Sequence, residues 1–163
     1  MNHLTASEKI RYEMRNEIEQ IIKEQNIDRM KFHETKKDRY EQIICKLYYT
    51  FFDYEKYPKI QLPYMWTRFR DTLAFTQPIW TDWNNWEEYI NCIDSLIPEK
   101  ISTLPYYLLV DGGWLYDGIL SEIKKVLQVY PDSMEDFYLF PRDYKWLINH
   151  CDDGACMYRV WKP

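Results

Sequence analysis

Glycine is scarce in this chain, with only 4 in 163 residues. That excludes most phosphate-cradling loops, which need several glycines to bring backbone N–H groups against an anion. It also argues against a long flexible linker. No apolar run approaches the ~18 residues of a membrane helix, and Met1 to Thr5 has none of the apolar character of an export signal. No membrane partner is therefore expected, and the expected compartment is the cytoplasm. Cysteine is limited to 4 residues, at 45, 92, 151 and 156. In a chain without an export signal they default to free thiols. Positive charge is also short: 21 Lys and Arg stand against 26 Asp and Glu, a net charge of -5. Phosphate backbones demand clustered cations, so nucleic acid is not an expected partner.

Aromatic residues, by contrast, are abundant. They make up 18% of the chain, with 15 Tyr and 7 Trp. These side chains fill cores, and they are also enriched where one protein grips another. The acid is uneven as well. Residues 1–50 hold 10 basic and 9 acidic residues, so the acidic excess belongs to the rest of the chain.

The pattern of apolar residues predicts one α+β domain over residues 1–163. Its N-terminal half is helical and packs on a small, mainly antiparallel C-terminal sheet that ends in a meander and hairpin. Thr5 and Glu8 form a capping box before a stripe at Ile10, Met14, Ile18, Ile21 and Ile22. This helix is expected to cover the core, since two heptads are too few to support a coiled coil. A charged loop over 26–37 precedes a second helix with Tyr40, Ile43, Ile44, Leu47, Tyr48 and Phe51 on one face. Met65 to Phe75 reads as a short helix among prolines. Thr81 and Asp82 supply an N-cap for a third helix, which buries Trp83, Trp86, Tyr89, Ile90, Ile93, Leu96 and Ile97 and closes at Pro98. The Trp-rich stretch from Trp80 to Trp86 reads chiefly as core packing. Pro105 to Val110 is a continuous apolar run of strand length, expected at the centre of a sheet. Asp111, Gly112 and Gly113 then read as a strand-to-helix turn. A fourth helix is expected from Leu115 to Val129, with Leu115, Ile119, Leu120, Ile123, Val126 and Leu127 inward.

Three short strands should close the chain. Phe137 to Phe140 is aromatic and apolar. Tyr144 to Cys151 alternates, with Trp146, Ile148 and His150 on one face and Leu147, Asn149 and Cys151 on the other. Asp153 and Gly154 are a strong two-residue turn signal, because a type I′ turn needs positive φ twice. That turn would set Cys151 opposite Cys156, His150 opposite Met157, Ile148 opposite Arg159 and Trp146 opposite Trp161. The two cysteine Cα atoms would then lie about 4.5 Å apart, at the short end of disulfide reach.

No residue pattern demands catalytic, cofactor or metal chemistry. His150, Cys151 and Cys156 make three candidate zinc ligands where four are needed, and His150 and Cys151 point to opposite faces of a strand. The same opposition weakens a Cys–His nucleophile pair. Asp152, Asp153 and Gly154 lack the remaining ligands of a calcium loop. What stands out is the acid at turns: Asp132, Glu135, Asp136, Asp143, Asp152 and Asp153, with Trp114 and Tyr116 nearby in sequence. Such a set is either a solvated face or a surface for a basic partner, where charge speeds encounter and aromatic anchors hold the complex.

The segment from Asp136 to Gly154, DFYLFPRDYKWLINHCDDG, resembles the closing segment of small immunity proteins (antitoxins) from bacterial polymorphic-toxin systems. Gly113 to Gly118, GWLYDG, and the amphipathic helix after it fit the same pattern, so the resemblance spans roughly residues 105–158. It implies a protein that is not an enzyme. Such a protein binds a cognate toxin, for instance a basic nuclease, and blocks it. Two alternatives stand beside it. A small-molecule or carbohydrate-binding module would show an open aromatic cleft. A small hydrolase, using Asp152, Asp153 and His150, would show a deep pocket holding a carboxylate of raised pKa. An immunity protein would show a shallow acidic surface with exposed aromatics. The sequence sets no oligomeric state.

Overall fold

The computed structural model of the chain describes residues 6–80, 83–129 and 134–160. Thr5, Thr81, Asp82, Tyr130, Asp132 and Trp161 lie outside the described residues, and with them the two expected helix caps and the expected pairing of Trp146 with Trp161.

The fold is α+β, built on one antiparallel sheet of seven strands. In chain order the elements are α1 (Ala6–Glu24), β1 (Phe32–Glu34), α2 (Tyr40–Phe51), β2 (Leu73–Phe75), α3 (Trp86–Asp94), β3 (Pro105–Val110), β4 (Trp114–Ile119), α4 (Leu120–Val129), β5 (Phe137–Pro141), β6 (Trp146–Cys151) and β7 (Gly154–Val160). The strand order is β1-β4-β3-β5-β6-β7-β2. The sheet is larger than the sequence suggests, because the helical first half contributes both edge strands. No described helix is long and apolar enough to cross a membrane.

Both faces of the sheet are covered, and the alternation of side chains divides the core in two. Tyr106, Leu108, Val110, Trp114, Tyr116, Phe137, Leu139, Trp146 and Ile148 pack with residues of α1, α3 and α4. The intervening positions Tyr107, Leu109, Leu115, Tyr138, Phe140 and Leu147 pack with Ile43, Leu47, Tyr48 and Phe51 of α2 and with Met65. The apolar runs of β3 and β5 follow from this double cover, because a strand with water on neither face has no polar positions to alternate. The expected core residues Ile90, Ile93, Leu108, Ile123 and Leu147 are buried, while Trp86 and Ile119 are only partly covered.

Four local expectations are corrected. Asp111 to Gly113 does not lead into a helix. It reverses β3 onto β4, with Val110 opposite Trp114. Gly112 and Gly113 adopt φ of 77° and 79°, a left-handed pair that glycine alone adopts without steric cost. The helix therefore begins at Leu120, five residues later than the spacing predicts.

The β6–β7 hairpin is the second correction. Cys151 pairs with Gly154, Asn149 with Cys156, Ile148 with Met157 and Trp146 with Arg159. The faces are those expected, but the pairing is displaced by two residues. Among the described residues, positive φ outside glycine is confined to Asn26, Tyr64 and Tyr144. Asp153 is therefore not left-handed and no type I′ turn forms. Asp152 and Asp153 make the bend, and Gly154 follows it at φ 92°. A side chain at Gly154 would strike the Ile79 carbonyl, because residue 79 bridges to Ala155 there. Cys151 and Cys156 are free thiols.

The third correction falls on Met65 to Phe75. It forms one 3-10 turn at Met65–Arg68 and then β2, which pairs with β7, so it is not a helix. The fourth is β1, within what reads as a charged loop. Its three residues pair with β4 from Phe32 opposite Gly118 to Glu34 opposite Tyr116.

Candidate functional site

An antiparallel sheet gathers alternate strand ends. The ends of β3 and β6 and the starts of β4, β5 and β7 therefore share one side. Asp111 follows β3, Glu135 and Asp136 precede β5, and Asp152 and Asp153 form the β6–β7 turn. The sheet thus turns carboxylates that are far apart in sequence into one acidic end. Asp136 feels the charges of Asp111, Asp152 and Glu135. Among the described residues, no Lys or Arg forms an ion pair with any of these five carboxylates.

Asp111 organises the site. Its Oδ2 accepts hydrogen bonds from the backbone N–H groups of Glu135 (2.7 Å) and Asp136 (3.0 Å), which fixes the chain entering β5. Burial pushes the Asp111 carboxyl above its ordinary range. Asp136 is pushed up further, to about 7, first by burial and then by its acidic neighbours. The sequence reading placed Asp111 in a turn and missed its role. The signal available was positional: two apolar strands, 105–110 and 137–141, each with an aspartate at the end that antiparallel pairing brings together.

Between this acidic end, α1 and the segment 60–64 lies a cleft of about 670 Å³. Met14, Ile60, Leu62, Pro63, Leu109 and Val110 give it apolar walls, and Asp111, Glu135, Asp136 and Tyr138 border them. Tyr64, another lining residue, is 63% exposed and holds a left-handed backbone at φ 55°. Trp80 is 69% exposed and follows Ile79, the residue bridged to Ala155 beside the β6–β7 turn. The acidic end therefore carries two open aromatics.

The other expected docking residues are elsewhere. Asp143 sits at the opposite end of the sheet, after β5, where Lys145 approaches it at 3.2 Å. Asp132 is outside the described residues. Trp114 and Tyr116 are not surface anchors, since they are 2% and 0% exposed. Both point into the core because β4 is a central strand. Trp114 lies under the cations of Lys37, Arg11 and Arg15, at 3.7, 5.5 and 5.6 Å. Tyr116 stacks on Phe32 at 5.2 Å.

The groups proposed for zinc, thiolate or Asp/His chemistry are not assembled. His150 is buried, packs edge-on against Trp86 and lies 2.6 Å from the Tyr89 hydroxyl through Nδ1. Burial lowers its pKa to about 4, so it is a neutral core residue at pH 7. Burial pushes the Cys151 thiol up to about 12, which removes it as a nucleophile. Among the described residues, no group of three or more His, Cys, Asp or Glu is placed to hold a metal ion. One feature of the hydrolase alternative is present, a carboxylate of raised pKa in a cleft, but it is Asp136, without His150 beside it.

The chain belongs to DUF6756, a family of unknown function, which it matches over residues 10–161. No curated protein and no solved structure matches it.

Proposed function

We propose that the protein is an immunity protein that binds a cognate bacterial toxin through the acidic end of its sheet and blocks it. The observation that carries this reading is the gathering of Glu135, Asp136, Asp152 and Asp153 with Asp111, unpaired by any cation of the described residues and flanked by exposed Tyr64 and Trp80. Unneutralised acid raises the rate of encounter with a basic surface, and open aromatic side chains supply anchors for it. A basic nuclease-type effector is the partner that this charge suits. The resemblance of residues 105–158 to immunity proteins points the same way.

The test is to identify a toxin domain encoded by the neighbouring gene and to co-express it with this protein. The expected result is rescue of growth, with a stoichiometric complex on purification. Toxicity undiminished by this protein, with no complex formed, would contradict the proposal.

A second reading is favoured by the cleft itself. Its volume falls in the range of small-molecule sites, and Asp136 has the raised pKa of a general acid or base. A small ligand that binds with no toxin present, or is turned over, would favour that reading.

A further inference from the structure

A purely electrostatic docking face needs no cleft, yet the acidic end has one, and its chemistry is mixed. The walls are apolar and the rim is anionic. The Tyr138 ring forms part of the wall, while its hydroxyl is fully shielded from solvent and lies by the Trp66 backbone N–H. The residue is only 4% exposed and lines the cleft. Its electrostatic neighbour is Asp136, which also lines the cleft.

The cleft's own cation does not neutralise it. Arg11 lines the opening, but its Nε donates to the Gly112 carbonyl at 3.0 Å and its guanidinium lies over Trp114. The space lined by Met14, Leu62 and Leu109 therefore leads to a carboxylate that no basic side chain of the described residues pairs with. A metal ion is a poor occupant for apolar walls. An anion is repelled, and because Trp66 offers Asp136 a side-chain hydrogen bond but no charge, a neutral apolar group would leave the carboxylate without a counter-ion.

We infer that the cleft receives a lysine or arginine side chain of the partner protein, its alkyl stem against Leu62 and Leu109 and its cationic head against Asp136. The inference rests on the docking reading above and names the anchor within it. A long basic side chain combines an apolar stem with a charged tip, which is the combination the cleft presents.

The test uses the full chain with n-butylguanidinium and n-butylammonium as probes and n-butanol and butyrate as controls. Binding is followed through the NMR signals of Leu109, Val110 and Tyr138. Both cations should give saturable shifts, with butanol and butyrate weaker by about tenfold or more. Asp136→Asn should weaken the cations by about tenfold near pH 8. Cation binding should tighten as pH rises through about 7, as Asp136 ionises against Asp111, Glu135 and Asp152. Cations that bind no better than butanol, or an Asp136→Asn protein with undiminished cation affinity, would overturn the inference. In a second arm the bound toxin domain should displace n-butylguanidinium. A toxin complex that leaves the probe in place would overturn the partner assignment and point to a free amine instead. Failure of any toxin to bind would sink the docking reading itself, a result separable from the cation selectivity read in the first arm.

Discussion

Asp136 and His150 pull the stability of the protein in opposite directions with pH. The Asp136 carboxyl is raised from 3.8 to about 7 in the fold, so the folded state holds its proton more tightly than the unfolded chain. Its contribution is fully present below about pH 4 and is lost as pH rises through about 7. Asp136→Asn should therefore melt higher than the parent near pH 8 and at the same temperature near pH 3.5, because only the ionised form is disfavoured. Equal melting temperatures at every pH would show that the carboxyl is not strained by its surroundings. His150 behaves in reverse. Its pKa falls from 6.5 to about 4, so its contribution is present above about 6.5 and lost as pH falls through about 4. At about 1.4 kcal/mol per pH unit, keeping this imidazole neutral amounts to a loss of about 3 kcal/mol in strong acid. Gly154 carries a constraint of another kind. Gly154→Ala should destabilise by about 1–3 kcal/mol or more, measured by urea unfolding, since φ 92° and the Ile79 carbonyl both oppose a side chain.

Among the elements, α4 buries the middle and end of its inner face. Ile123, Val126 and Leu127 are all at most 2% exposed. Ile123→Ala should destabilise by about 2–5 kcal/mol in chemical denaturation. A loss below about 1 kcal/mol would mean that the site collapses around the deletion. The start of this helix was misread for a physical reason. Leu115, Ile119, Leu120 and Ile123 satisfy helical spacing, yet Trp114 and Tyr116 satisfy strand alternation equally well, and the left-handed glycine pair before them decides in favour of a hairpin. The strands 105–110, 137–141 and 146–151 were legible because their apolar or alternating runs are long enough to fix a period. The edges β1 and β2 have three residues each, and β1 pairs with a strand more than eighty residues away, so no local pattern announces it. The β6–β7 register was misplaced because an Asp-Gly pair signals a turn without saying which residues are central. With Cys156 opposite Asn149, the two cysteines should titrate as separate free thiols in non-reducing denaturant. A shortfall of two thiols would contradict that.

At the scale of the molecule, the candidate site arises from topology. Composition located acid after residue 50, but not which end of the sheet each carboxylate occupies. Asp143 and Asp153 look alike in sequence and lie at opposite ends. Trp114 and Tyr116 look like Tyr64 and Trp80 in composition, yet the first pair is buried by a central strand and the second is left open. Because both faces of the sheet are covered by helices and loops, its acidic end is a surface where turns are free to meet a partner. Exposed rim charges contribute little to folding and much to encounter. The direct test of the proposed docking is the association rate with the toxin that the proposal assigns as partner, across a salt series, for the parent and for a variant with Glu135→Gln, Asp136→Asn, Asp152→Asn and Asp153→Asn together. The parent should associate more slowly as salt rises, and the variant should associate slowly at every salt concentration with little further change. A variant that binds as fast as the parent across the whole series would place the docking surface elsewhere.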